Sequence, residues 1–478
     1  MDIFFSGWLR LRMAIESLHR RHDGAHLPLL RLAPALTALA LLACGPGMPG
    51  HCIGCGPNVA KLGGTLSGLV GSNLILQNNG HPGSPISGPS ANGSDVVFAH
   101  ADYNSSYNLT VKTQPTNPSQ TCVVANGTGT APASSDVTNI VVTCTTNPPR
   151  FLYVTNGGSN TLSAYSVDSI NGTLTANVAP PYTVGNLPVA VAVDSTGTHV
   201  YVVNQTDSTI SAFAINRTDG TLSAVRGSPF STGPAPTAVA IDPARPFVYV
   251  TSGNAGTVSA YTIEVDGALT EIAGSPFPVG VLPSSVAVGS VSNYVFVGNQ
   301  FDNTVSEFQS AEDGTLLAIS GSPFATGASP RAIGVTSSGQ DVYVANANSN
   351  TLSGYSTSGG SLATLRGSPF ATGVGPRAIA IDALDKYLYV VNNGSNNISG
   401  YALDTNGALT ALAGSPFAVG IGPSAIAVDP TGRFLYVTNE GIGSIAAMTI
   451  DVNTGALTRL SGSPFAAGNS PSGIAISD

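Results

Sequence analysis

Few side chains in this 478-residue chain could do chemistry, and those that could stand out by position. Arg331 and Arg377 occupy one place in two similar phrases, "SPRAI" and "GPRAI", and Glu440 ends a third, "YVTNE". An arginine pair presents forked N–H donors that suit a carboxylate or a phosphate. A carboxylate beside it can take a proton from water. Asn439 adds an amide, so Arg331, Arg377, Asn439 and Glu440 form the candidate ligand site, with Glu440 the candidate catalytic base. His199 is the one histidine after residue 150. It fills a slot held elsewhere by Phe151, Phe247, Tyr294, Asp341, Tyr387 and Phe434, and so reads as a scaffold ring.

Other chemistries lack their residues. Cys52 and Cys55 in "HCIGC" have no further pair of ligands at zinc spacing and no βαβ setting for redox work, so a local disulfide is expected. "DTNGALT" and "DVNTGALT" open like calcium loops, but the closing position after Asp451 is Gly462 where such a loop needs glutamate. No phosphate-binding loop or dinucleotide fingerprint occurs, and no metal or cofactor is expected. Three lysines in all (Lys61, Lys112, Lys386), a net charge of −9 and no basic stripe exclude nucleic acid.

The elements that must position these residues come from a repeat. One landmark recurs at Tyr153, Tyr201, Tyr249, Phe296, Tyr343, Tyr389 and Tyr436 as "YVTN" and its variants, at intervals of 46–48 residues. A second is "GSPFATG" and its variants. A third is a proline before a short apolar run, as in "PRAIAID". Each unit holds four strand candidates; in the sixth they are "RAIAID", "YLYVVN", "NISGYALD" and "LTALAG". Four strands every 40–50 residues, repeated seven times, specify a seven-bladed β-propeller over 150–478. "GSPF" should end the outermost strand, with its Phe between blades. The first unit lacks an opening strand and "PSGIAISD" ends the chain as one, so the C-terminal strand should close the ring. First and second strands run antiparallel, which brings Arg331, Arg377 and Glu440 of blades 5, 6 and 7 to one rim.

These phrases resemble the YVTN-repeat, lactonase-type seven-bladed propellers, whose best-known enzymes hydrolyse 6-phosphogluconolactone. The resemblance covers 150–478. It implies a lactone hydrolase with Arg-His and Asn-Glu pairs at the site. Here Ala332 and Ala378 follow the arginines where that histidine would stand, and Asn439–Glu440 lies in a different blade from either arginine.

Ahead of the repeat, residues 1–43 read as an export signal. Five arginines lie between positions 10 and 31, and a 12-residue apolar run, Leu32–Ala43, is too short to span a bilayer. "LLAC" resembles a bacterial lipobox, which would make Cys44 the lipid-modified first residue; translation could start at Met1 or Met13. Residues 44–60 read as a tether and 61–147 as a small antiparallel β-sandwich-like domain, in which Cys122 and Cys144 could join neighbouring strands. That domain resembles a module at the start of bacterial surface lipoproteins, which implies a spacer or adhesive role and no chemistry. The expectation is thus an all-β, exported, lipid-anchored monomer at the cell envelope. It would serve as a binding or scaffold module for a small anion, or for an envelope protein or polysaccharide. The alternative is a lactone hydrolase resembling 6-phosphogluconolactonase.

Overall fold

The structure, a computed structural model, describes residues 59–478 apart from 71–73, 88, 116–119, 147–149, 178–180, 290–292, 358–359 and 478. The export segment, Cys44 and the Cys52/Cys55 pair lie outside the described residues. Among those described, no helix is long and apolar enough to cross a membrane.

The small domain has eight strands: β1 (Val59–Ser67), β2 (Ile75–Asn78), β3 (His81–Pro82), β4 (Gly93–Asp102), β5 (Ser106–Thr113), β6 (Gln120–Ala125), β7 (Thr128–Thr130) and β8 (Val137–Thr146). They form two sheets, β4-β1-β8-β6 and β3-β2-β5-β7. Leu62, Leu66, Leu76, Leu109, Ile140 and Val142 make their shared core. Two details differ from expectation. β1 begins at Val59, inside the supposed tether, and it pairs with β8 in parallel, although β6–β8 and β2–β5 are antiparallel. Cys122 faces Cys144 across β6 and β8, and a disulfide joins them.

After it come seven radial sheets, each of four strands in line with a short fifth piece paired to the third; in six the strands are consecutive, and the first takes its innermost strand from the end of the chain. In blade 6 these are Pro376–Ile381, Tyr387–Asn392, Asn397–Leu403 and Leu409–Ala411. The second strand is buried along its whole length, since it pairs on both edges and has a neighbouring blade on each face. Hence it reads as an unbroken run of aromatic and branched residues. In every blade but the fourth the landmark tyrosine bolts its blade to the next: Tyr389 Oη donates to the Gly455 carbonyl at 2.8 Å, and Tyr201 to that of Gly267 at 3.0 Å. Those glycines close the hairpin between third and fourth strands at φ 71° and 84°. A Cβ there would lie 2.5 Å from the Tyr387 ring or 2.2 Å from that of His199. Only glycine suits the turn, and the ring slot exists to cover it.

"GSPF" does not end the outermost strand; it bridges two pieces of it. In blade 2 the third strand pairs with Leu222–Ala224 over one half and with Phe230–Ser231 over the other. At the break between them, Ser228 Oγ accepts the Ala212 N–H at 2.9 Å, so no strand N–H is left bare. Phe230 packs into the cluster shared by blades 2 and 3.

Pro471–Ile476 is the innermost strand of blade 1, antiparallel to Arg150–Asn156, with Ile474 opposite Val154. Tyr436 Oη donates to the Gly172 carbonyl at 2.8 Å and Tyr165 Oη to that of Ala466 at 2.8 Å, so blade 7 meets blade 1 with the contacts used elsewhere.

Candidate functional site

Each innermost strand begins with a proline, and each has a register shift at the next residue, for example between Pro330 and Ala332 or Pro376 and Ala378. The residue between is the extra one of a β-bulge. A bulge turns a side chain out of the ladder, here onto the rim. The seven bulge residues are Ser472, Val189, Thr237, Ser284, Arg331, Arg377 and Ser424 for blades 1 to 7. The hydroxyls clasp the following blade: Thr237 Oγ1 donates to the Pro283 carbonyl, Ser284 Oγ to that of Pro330 and Ser424 Oγ to that of Pro471, each at 2.7 Å. The arginines cannot make this short clasp. For blade 6 it is replaced by Asn393 Nδ2, which donates to the Pro423 carbonyl at 2.9 Å.

Freed from the clasp, Arg377 donates through Nη1 to Glu440 Oε2 at 2.7 Å, across the junction of blades 6 and 7. The two side chains are 37 % and 39 % exposed, so the pair adds little stability, about 0–1 kcal/mol, and its interest is chemical. Glu440 opens a short 3-10 turn, Glu440–Ile442, and its backbone N–H donates to the Gly422 carbonyl at 2.8 Å. Arg331 reaches solvent, and no acid pairs with it among the described residues. The protein around its head group and then the like charge of Arg377 both lower its pKa. One neutralised arginine and one open arginine leave the rim with a single positive charge.

Asn439 is not part of that surface. It is fully buried; Nδ2 donates to Ser444 Oγ at 3.3 Å and Oδ1 accepts the Gly420 N–H at 3.1 Å. The asparagines of blades 1, 2 and 4 make the same latch, holding the start of the third strand and the incoming chain. Its place next to Glu440 reflects the repeat, not the ligand. His199 is likewise structural: Nδ1 lies 3.0 Å from Asp194 Oδ2, and the ring covers Gly267 of the next blade. Asp194 is desolvated, which raises its pKa, but its bonds to His199 and Thr198 prevail and hold it at about 2. No cluster of three or more His, Cys, Asp or Glu able to hold a metal occurs among the described residues.

Sequence reasoning missed Glu307. It lies wholly buried on the third strand of blade 4, where the other blades have Ala164, Ala212, Ala260, Gly354, Gly400 and Ala447. Oε2 accepts the Leu362 N–H of blade 5 at 3.1 Å, while Oε1 has no partner among the described residues. Burial raises its pKa. Blade 4 is also the one where Phe296 replaces the landmark tyrosine, so Glu307 takes over the bond to the next blade from the missing hydroxyl. Aligning the repeats on that slot would have exposed it.

The family described as lactonase, 7-bladed beta-propeller, matches residues 120–234 and 227–478. No curated protein matches the sequence. Among solved structures, a putative 6-phosphogluconolactonase from Bacteroides uniformis is 19 % identical, with a TM-score of 0.61 over 69 % of this chain and 100 % of its own. One from Bacteroides fragilis is 20 % identical, with a TM-score of 0.61 over 70 % and 99 %. A periplasmic gluconolactonase from Pseudomonas aeruginosa is 19 % identical, with a TM-score of 0.58 over 69 % and 99 %. At these identities the likeness is one of fold.

Proposed function

The chain belongs to the lactonase family of seven-bladed β-propellers, and from that premise we propose that it opens a lactone ring at the rim of blades 5 to 7. The observation that carries this reading is the Arg377–Glu440 pair with the unpaired Arg331 beside it, in slots that are otherwise small or neutral. Arg377 holds Glu440 by Oε2, which leaves Oε1 to accept a proton from water. The water oxygen attacks the lactone carbonyl carbon, and the carbonyl electron pair moves to its oxygen beside the Arg331 guanidinium. Collapse breaks the bond from the acyl carbon to the ring oxygen. Glu440 returns its proton to that oxygen, and the product hydroxy acid releases one proton to solvent at neutral pH.

Export is compatible with this chemistry, since the Pseudomonas aeruginosa neighbour is described as a periplasmic gluconolactonase. We propose in addition that Cys44 carries lipid and holds the propeller at the cell envelope, with the small domain as spacer. Acyl mass on the N-terminal peptide of membrane-extracted protein tests that.

A second reading keeps the rim as a binding site without turnover. Ala332 and Ala378 favour it, because they supply no imidazole beside the arginines, and Asn439 is spent on its latch. Glu440→Gln separates the two: in a hydrolase it abolishes ring opening and leaves binding of the hydroxy acid largely intact, whereas in a binding module there is no turnover to lose.

A further inference from the structure

The border of the rim is unequal around the ring. Two residues before each innermost proline the chain carries Asn469, Asn186, Pro234, Val281, Ala328, Val374 and Ile421 for blades 1 to 7. Blades 1 and 2 therefore carry amides at this position, beside Leu187 at 41 % accessible, and Asn186 is bound to Asp207 through Nδ2 at 2.9 Å. Blades 4, 6 and 7 instead expose β-branched side chains: Val281 is 54 %, Val374 57 % and Ile421 61 % accessible. The adjoining hairpins continue the apolar edge. Phe301, whose N–H donates to the Val281 carbonyl, is 73 % accessible, and Ile442, two residues after Glu440, is 47 %.

These side chains border the charged trio. Val374 precedes Arg377 by three residues, and its carbonyl accepts the Gly394 N–H at 3.0 Å; that of Ile421 accepts the Gly441 N–H at 3.1 Å, next to Glu440. A Cβ on Gly394 would lie 2.8 Å from Val374 Cγ1, and one on Gly441 3.0 Å from Ile421 Cγ2, so both side chains lie against their own hairpins. Arg331 of blade 5 sits between the apolar edge of blade 4 and that of blade 6. A sugar phosphate would bring about two negative charges and a ring of hydroxyls to one net positive charge and an apolar lip. That match is poor.

We infer that the substrate is an amphipathic lactone, whose ring-opened product is a monoanion bearing an unbranched hydrocarbon chain. The head lies against Arg331 and Arg377, and the chain lies along Val374, Ile421 and Ile442. This rests on the rim being the lactone site, as proposed above. Each methylene laid on the lip is covered on one side only and should tighten binding about twofold.

Calorimetric titration of the full chain with 4-hydroxyalkanoates of increasing length, and with 6-phosphogluconate, tests it. Affinity should rise with each added methylene, 6-phosphogluconate should bind more weakly than the longer acids, Arg331→Gln should weaken all of them alike, and a Val374→Asn, Ile421→Asn double variant should flatten the series. Length-independent affinity that still falls in Arg331→Gln would overturn the amphipathic substrate and keep the rim. Affinity indifferent to Arg331→Gln would overturn the rim itself, and no binding by any acid of the series would overturn the inference.

Discussion

Asn346 and Arg331 are near neighbours on one ladder, since Asn346 pairs with Pro330 and Arg331 is the next residue. Their slots behave in opposite ways through the seven blades. The asparagine slot reads Asn156, Asn204, Ser252, Asn299, Asn346, Asn392 and Asn439, and the bulge slot reads Ser, Val, Thr, Ser, Arg, Arg and Ser. A buried amide that must satisfy backbone and hydroxyl groups on two chain segments has almost no substitute. A side chain turned out by a bulge has only a clasp to give up. Internal repetition thus marks scaffold, and departures from it at outward-facing slots mark the places free to acquire a function.

The largest expected effect breaks the contrast in stability. Asn346→Ala strips partners from Thr326, whose Oγ1 donates to Asn346 Oδ1 at 2.8 Å, and from Ser353. It should cost about 2–3 kcal/mol in urea unfolding of the full chain, against about 0.5 kcal/mol or less for Arg331→Ala. Comparable losses in the two variants would erase the distinction between latch and rim.

Glu307 is the exception that sharpens the comparison, a departure from the repeat that faces inward. A carboxyl with a raised native pKa binds more protons folded than unfolded, so the wild type should lose stability as pH climbs from about 4.3 towards the native value. Glu307→Gln should flatten that slope and gain about 1–2 kcal/mol at pH 7. Asp194 works the other way: its native pKa of about 2 means that its contribution is lost as pH falls from about 4 towards 2. Melting temperatures measured from about pH 2 to neutrality would show both limbs. Identical pH profiles for wild type and Glu307→Gln would mean that the carboxyl is not buried as an acid.

The smallest effect concerns blade 3, where Ser252 stands in the asparagine slot and the hydroxyls of Thr232, Ser252 and Thr257 all lack partners among the described residues. Ser252→Asn should restore the latch and stabilise the protein by about 1 kcal/mol. Destabilisation would show that blade 3 is built around the serine.

The tyrosine, proline and "GSPF" landmarks were legible because they repeat, and they specify blades, order and the closing strand. What they did not reveal has a common cause. Period-two reading assumes an unbroken ladder, so it missed the bulge that turns Arg331 outward and the serine that spans the break in the outer strand. It also grouped Asn439 with Glu440, although Asn439 ends the buried strand and Glu440 opens the exposed 3-10 turn that follows it. The convergence of Arg377 with Glu440 was readable from antiparallel pairing alone. The loss of Asn439 from the site was not, because it depends on a hydrogen bond to the chain entering from the preceding blade.

A rim at Arg331, Arg377 and Glu440 that opens lactones must release acid. Proton release in weakly buffered solution, with the full chain and a series of γ- and δ-lactones, tests it most directly. One proton per ring opened is expected, with release that stops in Glu440→Gln and a much lower rate in Arg331→Gln. Release that is equal in the wild type and Glu440→Gln, or absent with every lactone, would contradict it.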